Sequence, residues 1–249
     1  MPSIEKILYF LSSAGLSIIG VAVLSYGMSA EWASSIMACS PKINNGTFES
    51  NGTATIRMGL FKGSEVKDSC PFFSSGGQNF IVFKRLSNIG GDGIGLHATV
   101  VVLLVFALVA SAGSILITLY NAISNPYETY MGPIGLYVCS GISAGTIVRA
   151  AVADFTAFNT CLAFLAMILF LINLLGINIA KEMLLEGDNE ITLKDGDLTI
   201  EAGFFMILPY IIVNLLAILL VYLYAHAAYR QRQEQQKPTE DAPKEILMY

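Results

Sequence analysis

The chain has 249 residues, 54% of them hydrophobic and only 13% charged, with a mean hydropathy of +0.62. Soluble domains carry about 25% charge, so this composition points to lipid as the main solvent. The net charge of −5 comes largely from one acidic loop and no basic stripe is present, which argues against nucleic acid as a partner.

A bilayer core of about 30 Å takes about 20 apolar helical residues. After a short segment, 1–6, residues 7–28 form the first such run, from Ile7 to Met28, without a charge. It is too long for a signal-peptide core and has no clear small-x-small cleavage site, so it reads as a retained anchor. A polar loop, 29–95, follows. Asn45-Gly46-Thr47 and Asn51-Gly52-Thr53 are glycosylation sequons, which place Asn45 and Asn51 on the lumenal or extracellular side. Ala54 to Lys67 alternates and Asn79 to Leu86 is rich in Ile, Val and Phe, so both read as strand-like. Cys39 and Cys70 share this loop in an oxidising compartment with no other lumenal partner. A disulfide is the expectation, and two separate free or intermolecular thiols the alternative. The run Gly90-Gly91-Asp92-Gly93-Ile94-Gly95 has the composition of a nucleotide loop without its strand–helix context. It reads as a flexible hinge into the next span.

Residues 96–120, Leu96 to Tyr120, are the second charge-free run, and 121–133 the turn after it. The third region, 134–180, is apolar from Ile134 to Ala180 apart from Arg149 and Asp154. As one straight helix it would run about 70 Å, roughly twice the membrane. Gly141, Ser143, Ala144 and Gly145 suit a helix broken near its start. Arg149 and Asp154 are five apart, about 140° around a helix, so they do not form an i,i+4 pair. Charges inside a membrane segment are functional candidates by default; the alternative is a charge pair at a polar break. Cys139 and Cys161 lie in apolar sequence, where cysteine behaves as a small hydrophobe.

The loop 181–202 carries a hairpin signal: Ile191 to Lys194 and Asp197 to Ile200 flank Asp195-Gly196, the pair favoured by a type I′ turn. A lone hairpin is marginal, so pairing with strands of the first loop is expected. Glu182, Glu186, Asp188, Glu190, Asp195, Asp197 and Glu201 make the loop acidic. Without EF-hand spacing, a solvated acidic face is the reading rather than a calcium site. Residues 203–225 are the fourth run, with Pro209 expected to kink it, and 226–249 form the tail. Small residues at Ser13 and Ser17, Ala110 and Ser114, and Gly141 and Gly145 suit close helix packing.

Topology follows from the two ends. The sequons put the first loop outside and the N-terminus in the cytoplasm. Arg230, Arg232, Lys237 and Lys244 put the tail in the cytoplasm too. Parity then requires an odd number of crossings from 134–180, most simply one, with the remainder re-entrant, interfacial or packed against the bundle. The predicted fold class is an all-α transmembrane four-helix bundle with a small extracellular β-sheet from the two loops. No catalytic set, metal cluster or cofactor motif is visible. His97 and His226 fall at opposite span ends and read as packing residues.

Several residues carry a family resemblance. Tyr120 to Thr129, reading YNAISNPYET, followed by Gly132 to Tyr137, reading GPIGLY, is similar to the turn after the second span in the clarins. So are the start Met1-Pro2-Ser3, Trp32 after the first span, and Gly59-Leu60-Phe61-Lys62-Gly63. The tail, with Tyr229, Gln231, Gln233, Gln235, Lys237-Pro238 and Ala242-Pro243, resembles the family as well. Clarins are four-span proteins similar to the broader claudin and tetraspan-like group. The claudin pattern has two cysteines after its Gly-Leu-aromatic element, whereas Cys39 precedes it here, so the resemblance assigns no disulfide. It lapses at about Thr146 to Cys161 and resumes at Phe164 to Phe170. The intervening stretch, with Arg149 and Asp154, reads as a lineage-specific insertion or a misassigned exon.

The resemblance implies a non-enzymatic plasma-membrane protein that organises other membrane proteins or cell contacts. In that family the role is linked to sensory hair cells and their synapses. Expected partners are the lipid bilayer and other membrane proteins. The ending Leu247-Met248-Tyr249 fits a carboxyl terminus that adds as a strand to a PDZ scaffold. The alternative function is a channel or transporter, or an auxiliary subunit of an ion channel, using Arg149 and Asp154.

Overall fold

The structure, a computed structural model, describes residues 4–41, 52–68, 76–123, 144–186 and 191–236. In chain order, α1 (Ile4–Ser29) leads into β1 (Glu31–Pro41), β2 (Gly52–Gly59), β3 (Lys62–Asp68) and β4 (Gly76–Ile81). A short helix α2 (Val82–Ile89) precedes the long α3 (Asp92–Ile123). Then α4 (Ala144–Leu171) passes through one π-helical turn, Ile172–Gly176, to the short α5 (Ile179–Leu185). Last come β5 (Ile191–Ile200), the single turn α6 (Ala202–Phe205) and α7 (Ile207–Gln236).

Four helical segments are long and apolar enough to cross a membrane: Ile7–Ser29, Asp92–Tyr120, Thr156–Gly176 and Ala202–Tyr224. This is a four-span membrane protein. The helices pack in a ring, α1 against α3 and α7, and α4 against α3 and α7. Residues pointing away from the ring, such as Ile18, Val109, Leu116 and Leu215, are apolar and exposed, as a lipid-facing surface requires.

The third span separates its apolar length into parts. α4 is a continuous helix of 28 residues, about 42 Å long. The break near Gly141 to Gly145 was expected before α4. Gly141 and Ser143 fall outside the described residues, and Ala144 and Gly145 are already helical. The interruption that is described lies at the other end. After the π turn the chain bends at Asn178, whose φ of 54° is left-handed, a conformation asparagine tolerates better than most residues. α5 then buries Ile179, Ala180, Met183 and Leu184 against α2, β2 and β5. The excess apolar sequence thus covers the sheet. The fourth span also breaks, at Met206 between α6 and α7. Pro209, three residues on, sits in the first turn of α7, where a missing N–H is harmless.

All five strands form one antiparallel sheet in the order β4-β3-β2-β1-β5. Two sequence expectations are corrected here. Residues 82–86, read as strand, are helical: β4 ends at Ile81, and α2 buries Val82 and Leu86 while exposing Lys84 and Ser87. That four-residue spacing is helical, not alternating. The Asp195-Gly196 hairpin is absent; residues 191–200 are one strand paired along its length with β1. Ile36 pairs with Asp197 and Ala38 with Lys194, so Asp195 and Gly196 oppose Met37 alone. This is a β-bulge. A Cβ at Gly196 would collide with the carbonyl of Ile36, which explains a glycine there without a turn. Pairing with β1 also buries Ile191 and Leu193, which an isolated hairpin would leave wet.

Candidate functional site

The sheet is seated on the bundle first through Trp32. Trp32, the second residue of β1, is fully buried, and its indole Nε1–H donates to the carbonyl of Gly27 at 2.8 Å. Its ring meets Phe170 of α4 edge-on at 4.8 Å and Phe204 of α6 at 6.0 Å. Gly203 lets α6 pass this close: a Cβ there would lie 2.6 Å from both the Glu31 carbonyl and Trp32 Cδ1. A single apolar core therefore runs from Leu104 in α3 through Trp32 and Leu174 to Ile56 in the sheet.

The turn from β2 to β3 is the second seat. Leu60 is fully buried, and its carbonyl accepts a 2.8 Å hydrogen bond from Nε2 of His97, itself fully buried in α3. A carbonyl only accepts, so the hydrogen is on Nε2. Nδ1 is left without a hydrogen-bond partner, and Phe83 covers the ring edge-on at 5.2 Å. His97, read as a packing residue, thus ties the sheet to the second span. His226 stacks on Tyr222 at the far end of α7.

Between sheet and loops lies an ionic clamp. Arg85 of α2 holds Glu65 of β3 at 2.6 Å through Nη1 and Glu186, just after α5, at 2.9 Å through Nε. Asn88 donates to Glu186 at 2.7 Å, Lys67 stands 4.0 Å from Glu65, and the guanidinium lies 4.6 Å over the Phe80 ring. Glu65 and Lys67 point inward and are buried. One of the acids expected on a solvated face, Glu186, is therefore partnered. Glu182 and Asp197 are exposed. Among the described residues, no three His, Cys, Asp or Glu side chains come together to hold a metal.

Inside the bundle a polar node joins three of the spans, and a separate bond ties in the first. The Tyr210 hydroxyl of α7 and Ser111 of α3 share a hydrogen bond of 2.9 Å, and Asn159 of α4 donates to Ser111 Oγ at 3.2 Å. Ser114 and Thr156 pair at 3.2 Å, and Ser13 of α1 donates to the Ala217 carbonyl at 3.2 Å. Ser13, Ser17 and Ser114, picked out as packing residues, are buried at these contacts.

The outer face of the sheet presents a groove of about 370 Å³ lined by Thr55, Arg57, Ser64 and Val66. Ile36 stands beside it across the strand pair Ile36–Thr55, 50% exposed. Glu31 lies 4.0 Å from Arg57 at its edge.

Of the residues singled out from sequence, Cys39 is buried and disulfide-bonded. Its partner lies outside the described residues, as does Cys70, while Cys161 is a free, exposed thiol on α4. Arg149 and Asp154 both fall on α4. Asn45, Asn51 and the ending Leu247, Met248 and Tyr249 lie outside the described residues. Sequence reading passed over Arg85, Glu65, Ser111, Asn159 and Tyr210. For Glu65 and Lys67 a signal existed: both occupy inward positions of an alternating strand.

A model of the clarin family, described as Clarin-2-like, matches residues 5–181. The chain belongs to the clarin family. Clarin-3 of Mus musculus is 32% identical over 250 residues and Clarin-3 of Homo sapiens 29%, each comparison covering the full length of both chains. Clarin-3 of Rattus norvegicus is also 32% identical over the same span. In this clarin the stretch Thr146 to Cys161 falls inside the range the family model matches. Gly59-Leu60-Phe61 is the turn that His97 holds, and Trp32 is the seat of the sheet.

Proposed function

We propose that this clarin is a non-enzymatic organiser in the plasma membrane, holding other membrane proteins or a cell contact through its sheet. Both termini are cytoplasmic in this reading and the sheet faces outward, its Asn45 and Asn51 sequons glycosylated. The observation that carries it is the outer face of the sheet. It is fixed to the spans through Trp32 and His97, yet it leaves Ile36 and Val66 exposed around Arg57 and the groove. A platform with apolar positions around a cation is what a protein contact uses. A sensory cell is the setting the family resemblance favours.

The test is a photo-crosslinking amino acid at Ile36 or Thr55, in cells that express the protein naturally. Discrete adducts with other membrane proteins, lost on Arg57→Glu, are expected. No adduct above that from a probe at lipid-facing Leu116 would sink the reading. A second contact is proposed at the tail, where Leu247-Met248-Tyr249 adds as a strand to a PDZ domain. Unchanged capture by PDZ scaffolds after deletion of Tyr249 would remove it. The channel reading rests on Arg149 and Asp154, which α4 carries ahead of its spanning segment Thr156–Gly176. Ion flux in liposomes, abolished by Arg149→Ala, would replace the organiser with a channel.

A further inference from the structure

The strand ends nearest the bundle form a rim. Glu31 begins β1 two residues after α1 ends, and it pairs with Gly59. Ile200 ends β5 two residues before α6 begins, and it pairs with Ala33. Lys62 pairs with Ile81 on the same rim. The depth of this rim is fixed by two hydrogen bonds. Leu60 is held by His97, which lies inside the apolar segment Asp92–Tyr120. Trp32 is held by Gly27, inside Ile7–Ser29. Both anchors lie near the ends of those segments, so the rim stands at the sheet-side ends of the spans.

On that rim two large apolar side chains face outward, Phe61 at 42% and Ile81 at 59% exposure. They are neighbours: the Phe61 carbonyl accepts from the Val82 N–H at 3.0 Å. Exposed Lys62 and Lys84 flank them. Exposed aromatics stand near the same ends of the spans, Tyr26 close to the end of α1 and Phe205 in α6, and tyrosine is enriched where a membrane surface crosses a protein. By contrast Val66 is four residues further along β3, about 13 Å from the rim, so its exposure is to water.

We propose that this rim is a lipid-binding surface. Phe61 and Ile81 enter the acyl region of the leaflet on the sheet's side, and Lys62 and Lys84 meet its phosphates. The lysine stems lie along the apolar pair while their ammonium groups stay at the headgroups. The sheet is thus moored to the bilayer directly as well as through the spans, and this holds whether or not the outer face binds proteins.

The experiment places a nitroxide on Phe61→Cys or Ile81→Cys in the full chain, with Cys139 and Cys161 changed to alanine. The protein is reconstituted in vesicles of phosphatidylcholine with phosphatidylglycerol. Collision with oxygen, which concentrates in lipid, is compared with collision with a water-soluble nickel chelate. Labels at Ile36 and Val66 serve as the water reference, and one at Val109 as the lipid reference. The oxygen-to-nickel ratio at 61 and 81 is expected several-fold above that at 36 and 66, approaching that at 109. Ratios equal to those at 36 and 66 overturn the proposal. Two independent label sites keep the test decisive if one variant does not fold. In a Lys62→Glu, Lys84→Glu background the ratio at 81 is expected to fall, and an unchanged ratio overturns the phosphate half of the proposal.

Discussion

In the bundle, the side chains that cross between helices at the centre are polar: Ser111, Asn159 and Tyr210 meet in one node, with Ser114 and Thr156 beside it. In the sheet, the interior is apolar, built on Ile56, Met58, Met183 and Leu184, and the polar groups that enter it are ions closed on one another through Arg85. The difference follows from the two solvents. Helices surrounded by lipid gain little by burying leucine against leucine, so packing and interhelical hydrogen bonds hold them. A sheet with one face in water gains about 25 cal/mol for each Å² of apolar surface it covers. Charges are then admitted only in compensated sets.

Five substitutions press on this contrast. Trp32→Ala empties the seat that joins the two regions, and large-to-small changes of this kind cost about 3–5 kcal/mol. Thermal unfolding in detergent should drop steeply, with sheet and helices melting separately; one unshifted transition would mean the seat couples nothing. Arg85→Ala leaves buried Glu65 with only Lys67, at 4.0 Å, and should cost about 3 kcal/mol. Hydrogen exchange should rise in β3, β4 and α2 while the middle of α3 stays protected. Exchange that rises equally in the spans would erase the distinction drawn between the regions.

Within the bundle the effects are smaller. A double-mutant cycle of Ser111→Ala with Tyr210→Phe should give a coupling of about 0.6 kcal/mol, as interhelical hydrogen bonds in membranes do. A coupling above about 2 kcal/mol would show that the node outweighs ordinary membrane hydrogen bonds. Smallest of all is Arg57→Ala on the outer face. Arg57 and Glu31 lie 4.0 Å apart with side chains 59% and 52% exposed, so solvent screening leaves less than about 0.5 kcal/mol. Unfolding should not move, and a measurable loss would make Arg57 a structural residue rather than one available to a partner.

The spans were legible because twenty charge-free residues have few meanings. So was β3, where alternation is plain. β1 was not, because its inner and outer positions carry similar small residues: Ala33, Ser34 and Ser35 are all buried. Asp195-Gly196 misled because one dipeptide serves a turn or a bulge, and only the neighbouring strand decides between them. The region 134–180 announced its excess length, but not that α5 would turn back over the sheet. The polar node was invisible for a different reason. Serine and asparagine are common on membrane helices, and only the ring arrangement brings residues from α3, α4 and α7 to one point. His97 was seen as packing, yet its partner is a backbone carbonyl, which no side-chain motif records.

The chain contains one tryptophan, and it is the residue at the seat, buried with Phe170 at 4.8 Å and Phe204 at 6.0 Å. The near-ultraviolet emission of the whole molecule, excited at the red edge where tyrosine is silent, therefore comes from one place. Its colour reads whether the sheet is docked. A shift toward the red on adding a partner, a lipid or a denaturant would time the lifting of the platform from the spans without any label.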